Sequence, residues 1–546
     1  MAIEGTNSYA DGVFLKDFDL HTMLHVGVEV VVPSTSTMAE GSNNNSQQSA
    51  ASLLSKELFE MCKSESISEE GVREIFERYR LTHKNNHVDN YKFFRLACSD
   101  ERVTEGIIRC FLEYFPDAAS AADERGCSPL LCACNSKGVT LNIIQLLVES
   151  APDSVRSVNN NGNMPLHALC NTRQTDDAAA IQILKFLIEK HPEGVRHPDN
   201  IGRLPIHIAA GGRSPEFCRV LIEACPGSEQ ISGAGDAMPL HFACGKGSLA
   251  TVEYLYRQYP DAITTPATPG YPIHAAIFGI KHRNSPATAA EVVQFLLDCD
   301  PNQKLIQSQG MSLLRIAFWQ PYNGSNIAAA IQISKILFDA HPEAIEDERI
   351  ASNIRRYHQQ VQAFINGELV YARQAKDLRR MMTPDTDGRL PLHRALQNNV
   401  RLGSIKLLIK GNPSAIRSID DSGALPLHVA CQHHDSASVV GYVLDLARIT
   451  RDATDSQGNT ALHYACRGAK YNTIAMLLEK YDAASVSKRN AHGKLPIDLL
   501  WESTVSDRES VEYIGSVFQL VRANPEMVII SNSIVNQPVD VGTTRK

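Results

Sequence analysis

The sequence contains no run of about 18 or more apolar residues, the length that a membrane-spanning helix needs. It also lacks the features of a secretory signal at its start. Residues 1–11 are polar without a basic cluster, and the apolar stretch 26–32 is short and holds Gly27 and Glu29. We therefore expect neither a membrane span nor export.

Charge of one sign is not in large excess either. Lys and Arg number 53 and Asp and Glu 61, which gives a formal net charge of -8. Since such a chain exerts no long-range attraction on phosphate, we expect no general nucleic-acid binding. Most of the 13 cysteines lie in apolar, helix-like segments, so we expect buried free thiols in a reducing compartment. That compartment is the cytoplasm, with the nucleus as the alternative.

One short phrase recurs along the chain in register. A clear copy begins at Gly162 and reads Gly-Asn-Met-Pro-Leu-His, ending at His167. Measured at the proline or its equivalent, the phrase stands at positions 93, 129, 165, 205, 239, 272, 313, 391, 426, 461 and 496. Ten steps separate these positions; nine are of 33 to 41 residues, and the step from 313 to 391 is 78. Copies at such a period indicate a repeat architecture.

Each copy has the features of a tight turn followed by two helices. Seven copies carry Asp or Asn three residues before the glycine, as Asp199 precedes Gly202, so that the side-chain oxygen can cap backbone amides. Pro205 then suits the start of a helix, where its missing N–H costs nothing. A longer helix follows, with apolar residues at i, i+3 and i+4, and several such helices stop at a proline. Because one unit cannot bury its apolar face alone, the units must stack.

This phrase, with its period near 33 and its Thr-Pro-Leu-His-like core, resembles the ankyrin repeat over roughly residues 89–530. The resemblance implies an all-α fold, an ankyrin-repeat α-solenoid of paired antiparallel helices joined by hairpin-like turns. It also implies a function: ankyrin proteins usually hold other proteins on the concave side, which turn tips and short helices line.

The sequence departs from the family pattern in one repeated position. The consensus Thr before Pro-Leu-His is present only at Thr460, and residues such as Leu204 and Leu425 replace it elsewhere. The hydroxyl that helps to fix the histidine is therefore mostly absent. We expect these histidines to bond the backbone of an adjacent turn instead.

The chain divides into six segments. In order they are an unassigned, partly disordered N-terminal segment (1–52), a helical cap (53–88) and an N-terminal block of repeats (89–345). A helical basic insertion (346–386), a C-terminal block of repeats with its cap (387–530) and a disordered tail (531–546) follow. The insertion has helical spacing interrupted by Gly367, which leaves one helix or two open. From Arg349 to Arg380 it carries seven Lys or Arg against two acids, a balance of +5.

Three motifs suggest chemistry, and each has a simpler structural interpretation. His-x-x-Cys recurs at 167/170, 241/244, 428/431 and 463/466, but zinc needs four ligands and no single repeat supplies them. Cys132 and Cys134 lie in a predicted repeat helix, whereas a redox pair needs an exposed, electropositive thiolate. The stretch from Gly245 to Ser248 resembles the end of a phosphate loop without its preceding strand. We expect no metal, no cofactor and no catalytic activity.

A protein-binding scaffold or adaptor is the leading hypothesis for function, and we expect a monomer. Candidate partner-binding residues, carried over by position from the family, are the turn-tip and short-helix-end residues Arg125, Asn163, Asn171, Arg203, Arg389, Gln432, Asn459, Arg467 and Lys494. The alternative is a regulatory sensor that docks an acidic partner or an anionic surface through the basic insertion. Its candidate patch is Arg373, Lys376, Arg379 and Arg380.

Overall fold

The computed structural model describes residues 50–64, 67–79, 81, 91–172, 176–268, 270–281, 285–305, 307–308, 311–320, 322, 324–450, 452–480, 486–503 and 510–523. The predicted N-terminal segment up to residue 49 and the predicted tail 531–546 lie outside these residues. The first described helix runs over Ala50–Lys63. It thus begins inside the segment that we left unassigned, three residues before the predicted cap.

Eleven copies of the repeat each contribute a short helix within the described chain. These helices are Lys92–Ser99, Pro129–Cys134, Pro165–Asn171, Pro205–Ala210, Pro239–Lys246, Pro272–Phe278, Leu313–Trp319, Pro391–Gln397, Pro426–His433, Ala461–Arg467 and Pro496–Glu502. Eight of them begin at the proline of the phrase, as the sequence predicts, because proline at the first helical position sacrifices no hydrogen bond.

A longer helix follows each short one. The long helices are Glu105–Tyr114, Leu141–Ser150, Asp177–Lys190, Pro215–Ala224, Leu249–Gln258, Ala287–Cys299, Ile327–Ala340, Leu402–Gly411, Ala437–Leu446, Tyr471–Lys480 and Val511–Ala523. Seven of them lead into a 3-10 turn that starts at a proline: Pro116–Ser120, Pro152–Arg156, Pro192–Arg196, Pro260–Thr264, Pro301–Leu305, Pro342–Glu346 and Pro413–Arg417. The all-α fold of paired helices is confirmed. The named strands of the described chain are only Gln307–Ser308 and Met311–Ser312.

The turns between repeats have the predicted Asx geometry. Asp199 Oδ1 accepts from the backbone N–H of Ile201 at 3.1 Å and of Arg203 at 2.8 Å. Gly202 closes the turn at φ +86°, a left-handed conformation that favours glycine. Successive tips are also bonded to one another, as the Asn200 N–H donates to Asn161 O at 3.1 Å. Backbone bonds of this kind join several pairs of neighbouring tips within each unit.

The chain forms two compact units. The N-terminal unit comprises residues 1–309 and 322–333, and the C-terminal unit comprises residues 310–321 and 334–546. Helices Ala50–Lys63 and Glu69–Arg78 lie at the start of the N-terminal unit, whose core includes the buried rings of Phe93 and Phe111 at a centroid distance of 5.3 Å. In the C-terminal unit, the buried residues between Met381 and Leu520 form a largely aliphatic core cluster.

The segment 346–386 is helical, with helices Glu348–Ser352, Gln359–Lys376 and Leu378–Met382 and a 3-10 turn at Ile354–Arg356. The long 18-residue helix passes through Gly367 without a break. Its residues Val361, Ile365 and Ala372 are buried, and it packs against the long helix Leu402–Gly411. The insertion thus contributes one long helix that packs against the long helix of the following repeat.

Candidate partner-binding surface

In five copies the histidine of the phrase joins its repeat to the next. His207 Nδ1 accepts the Leu204 N–H at 3.0 Å, so the ring proton resides on Nε2, which donates to Ile231 O at 2.9 Å. Equivalent bonds to the following repeat connect His167 to Arg203 O, His241 to Thr265 O, His428 to Ala453 O and His463 to Lys494 O. The expected backbone partner is confirmed in these copies.

The same bonds explain why the His-x-x-Cys motifs are structural. Both ring nitrogens of His167 are engaged, which leaves no lone pair for a metal ion. Burial lowers the pKa of His167 to about 4 and raises the pKa of Cys170 to about 12, so both groups are neutral at pH 7. The described part of the chain contains no group of three or more His, Cys, Asp or Glu arranged to hold a metal.

The other two motifs are also parts of repeats. Burial raises the pKa of Cys132 to about 12 and that of Cys134 well above its usual range, which is opposite to the activation that redox chemistry needs. Gly245 lies in the short helix Pro239–Lys246, and Ser248 caps the next helix by accepting from Thr251 N at 3.1 Å.

Three of the nine partner-binding candidates are buried, which corrects the sequence-based choice. Asn163 is 4% exposed, Arg203 4% and Asn459 0%. The Arg203 Nε donates to Asp199 Oδ2 at 2.7 Å, and Asn459 Nδ2 donates to Asp455 Oδ2 at 2.9 Å. These side chains fold back onto the Asp of their own turn, so they stabilise the tip and are not available to a partner.

The remaining six candidates are accessible. Arg125, Asn171 and Arg467 are exposed, whereas Arg389, Gln432 and Lys494 are partly exposed. Arg125 and Asn171 belong to the N-terminal unit and the other four to the C-terminal unit. The accessible candidates are therefore divided between the two units, two in the first and four in the second.

In the C-terminal unit the tips and the short-helix ends form one surface. Arg389 Nη1 donates to Gln397 Oε1 at 3.2 Å, which links a tip to the end of its own short helix. Lys494 Nζ does the same with Glu502 Oε2 at 2.6 Å. We name this the inner surface, and define it as Arg389, Arg394, Gln397, Gln432, His433, Arg467, Lys494 and Glu502.

Four inner-surface residues occupy one repeat position. Gln397, Gln432, Arg467 and Glu502 each stand six residues after the first residue of a short helix, at intervals of 35. Neighbouring short helices pack directly on one another, so these side chains succeed each other along the unit. Sequence reasoning missed Gln397 and Glu502, although the repeat register that identified Gln432 and Arg467 also indicates them.

Two further residues were missed. Arg394 is an exposed side chain whose Nε donates to Asp385 Oδ2 at 2.6 Å, beneath the tip. The pKa of His433 is lowered, first by burial and then by the positive charges of Lys470 and Arg389. His433 is therefore largely neutral at pH 7, and its environment shows that cations meet at this part of the surface.

A buried polar network holds the surface in place at Arg467. The Tyr464 hydroxyl donates to Asp455 Oδ2 at 2.8 Å, and its ring stacks on His428 at a centroid distance of 5.0 Å. The Arg467 guanidinium lies 5.4 Å from the centre of the Tyr464 ring. Because the ring beneath it is fixed by two repeats, the Arg467 side chain has a rigid support.

The basic patch predicted in the insertion is exposed but partly neutralised. Lys376 Nζ lies 3.1 Å from Glu346 Oε2, and Arg380 Nε lies 3.2 Å from Asp377 Oδ2. Arg373 and Arg379 are exposed. Two apolar side chains on the same pair of helices, Val370 and Met382, are 58% and 61% exposed.

Pairs of helices joined by hairpin turns and bonded from repeat to repeat define an all-α solenoid of helical repeats. Residues 176–266 and 392–490 match the family model described as ankyrin repeats (3 copies). The chain therefore contains ankyrin repeats within these two ranges. Such repeats indicate a scaffold for protein–protein interaction. Among the described helices, none is both long enough and apolar enough to cross a membrane.

Proposed function

We propose that the chain is a scaffold or adaptor without catalytic activity, and that its C-terminal unit holds a protein partner on the inner surface. One observation carries the proposal: side-chain contacts join the tips to the short-helix ends, at Arg389 with Gln397 and at Lys494 with Glu502. Residues that a partner must touch together are thereby adjacent.

The chemistry of the inner surface suits a polar partner segment. Arginine and glutamine side chains offer several donors each, and arginine is enriched among residues that dominate binding energy. Arg467 forms no ion pair with a described carboxylate, so its charge is available. Since its support is already ordered, binding loses less side-chain entropy than it would at a mobile arginine.

Site-specific photo-crosslinking in cells tests this proposal. A photoreactive residue is placed at Gln432 or Arg467, and a matched one at Glu479, which is exposed on the long helix Tyr471–Lys480. We expect a discrete crosslinked protein from the first two positions and none from Glu479. Crosslinking from Glu479 alone would place the partner on the opposite helices and contradict the proposal.

Charge reversal gives a second, quantitative test. Once a crosslinked partner is identified, Arg467→Glu should weaken its affinity by about tenfold to a hundredfold, the range for loss of a hydrogen bond to a charged group. Arg417→Glu, at an arginine in the 3-10 turn Pro413–Arg417 of the same unit, is the control and should leave the affinity unchanged. Equal losses in both would show that only net charge matters.

A second candidate function rests on the insertion. We propose that Arg373 and Arg379, flanked by exposed Val370 and Met382, dock an acidic partner that also carries apolar residues. An acidic amphipathic peptide serves as the probe, titrated by fluorescence anisotropy at two salt concentrations. Changing all four patch residues, Arg373, Lys376, Arg379 and Arg380, to Gln should abolish binding and its salt dependence. Unchanged, salt-independent binding would remove this candidate.

Monomeric state and a cytoplasmic location, with the nucleus as alternative, are part of the same proposal. All 13 cysteines are free thiols, and 11 are buried, which suits a reducing compartment. Sedimentation velocity of the full chain tests the first, with one species of about 60.0 kDa expected. Imaging of a tagged chain tests the second, and a signal confined to secretory compartments would contradict it.

A further inference from the structure

Two repeats carry arginine in place of the histidine that joins repeats: Arg95 Nη1 donates to Ala121 O at 3.1 Å, whereas Arg315 leaves Nε and Nη1 unbonded. In the copy with helix Leu313–Trp319, Ser312 caps the helix and Arg315 occupies the third helical position. That position holds His207 in the copy at Pro205 and His428 in the copy at Pro426. Residues 346–384, which follow this copy in the C-terminal unit, contain no turn phrase. The backbone acceptor that a histidine would use is therefore not provided in the usual way.

Arg315 is buried, and two of its three guanidinium nitrogens have no partner. Its residue is 3% exposed, and its Nε and Nη1 atoms have neither a hydrogen bond nor contact with solvent. It forms no ion pair with any carboxylate of the described residues. A guanidinium is always charged, and burying its N–H groups without acceptors is unfavourable, which favours a negatively charged ligand at these donors.

A second unpartnered donor lies on the same side of the helix. Tyr357 is 5% exposed and its hydroxyl has no hydrogen-bond partner. Its ring packs 5.7 Å from Phe318 and 6.1 Å from Trp319, centre to centre. Phe318 and Trp319 follow Arg315 by one helical turn, so they share its face.

The surroundings of Tyr357 are cationic. Burial raises its pKa to about 12, while Arg315 and Arg356 act in the opposite sense and Asp347 adds to the rise. The hydroxyl therefore stays protonated and can donate. The exposed Arg356 has its guanidinium 6.0 Å from the Trp319 ring centre, next to the same residues.

We propose that Arg315 and Tyr357 bind an oxyanion, a carboxylate or phosphate group, inside the C-terminal unit. The guanidinium supplies charge and N–H donors, and the phenol supplies one O–H donor, which is the combination that carboxylate and phosphate oxygens accept. Arg356 and Trp319 adjoin these two residues. No residue of this site belongs to the inner surface, so the proposal is independent of the scaffold function.

Ligand titration of the full chain at constant ionic strength tests the proposal. The probes are inorganic phosphate in one arm and acetate in the other, and the measured quantities are the melting temperature and the Nε–H signal of Arg315 in chain labelled with 15N-arginine. We expect one arm to saturate and to shift that signal. The arm that saturates at lower concentration distinguishes a tetrahedral from a planar oxyanion.

Variants assign the effect to the two residues. Arg315→His, which restores the residue of the other copies, should weaken binding by about tenfold or more, and Tyr357→Phe by a smaller factor, as expected for a charged and a neutral donor. Arg448→Gln, at an exposed arginine of the same unit, should bind as the natural chain does. Tyr357→Phe keeps the ring packing, so its folding is not at risk.

Two results would overturn the proposal. The first is that binding of neither probe saturates, or that all variants bind the probe equally well. Arg315 would then hold no oxyanion. The second result is that Asp347→Asn lowers the melting temperature as much as Arg315→Met does, while the natural chain responds to neither probe. It would show that the Asp347 carboxylate balances the charge of Arg315 within the chain.

Discussion

The repeat at Pro205 and the repeat at Leu313 differ in how they are joined to the next repeat. His207 uses both ring nitrogens, one for its own Leu204 N–H and one for Ile231 O. Arg315, at the same position, is equally buried but leaves Nε and Nη1 unbonded. At this position a buried polar group can join its repeat to the next, as His207 does, or keep donors unbonded, as Arg315 does; Leu131 shows that the position also accepts an apolar side chain.

The two residues also differ in what their donors can do: those of His207 stabilise the stack of repeats, and those of Arg315 can bind a ligand. A fully bonded histidine holds the stack together and offers nothing to a ligand. An arginine with spare donors costs stability and creates binding capacity. Four predictions test this contrast.

The largest effect is expected at the bonded position. His207→Ala leaves the Leu204 N–H buried without a partner and removes the bond to the Ile231 carbonyl, so the free energy of unfolding should fall by about 3 kcal/mol. Arg315→Met should change it by less than about 1 kcal/mol, or raise it, because an unpaired buried charge disappears. Urea denaturation of both variants in phosphate-free buffer measures the contrast. A larger loss in Arg315→Met would reverse the comparison.

Acid should weaken the histidine-linked repeats next. The folded pKa values of His167, His207 and His241 are about 4, below the usual 6.5, because burial opposes the charged form. The unfolded chain therefore binds more protons, and stability that is complete above pH 6.5 is lost as pH falls toward 4. Each histidine accounts for about 2 kcal/mol at pH 5. Denaturation at pH 7 and pH 5 checks this, and His207→Gln should show a smaller loss; identical pH dependence would contradict the assignment.

The turns should show a smaller contrast between interior and terminal positions. Gly423 has φ +78°, and an added Cβ would lie 2.8 Å from the Ser456 N of the next tip. Gly493 has φ +73° with open space around it. Gly423→Ala should cost about 2 kcal/mol and Gly493→Ala about 1 kcal/mol, the conformational term alone. Thermal denaturation of the two variants decides whether tip-to-tip packing adds to the cost.

The smallest effect is expected at the consensus threonine. Thr460 Oγ1 lies 2.8 Å from His463 Nδ1, a bond that copies such as that of Leu425 lack. Thr460→Val should cost about 1 kcal/mol, as loss of a helix cap does. The same urea assay applies. An effect as large as that of His207→Ala would mean that the hydroxyl, and not the histidine, joins the repeats.

The inner surface shows how far the sequence could go toward a site. The repeat register indicated Gln432 and Arg467 because residues at one repeat position must lie on one face. It failed at Asn163, Arg203 and Asn459, which are buried; Arg203 and Asn459 bond the Asp of their own turn, and only packing selects between that bond and solvent. For Arg203 the turn carboxylate of Asp199, 2.7 Å away, decided the outcome.

What the sequence determined by itself is the periodic part: where each short helix begins, which glycine closes each turn and that the histidines bond backbone in the absence of threonine. These are local consequences of proline, glycine and Asx chemistry, repeated at a fixed interval. Only the tertiary structure decided which polar groups find a partner. The partner of a buried donor comes from another repeat, as for His207, or is missing, as for Arg315. The distance between a donor and an acceptor in another repeat is not specified by the residues next to the donor in the chain.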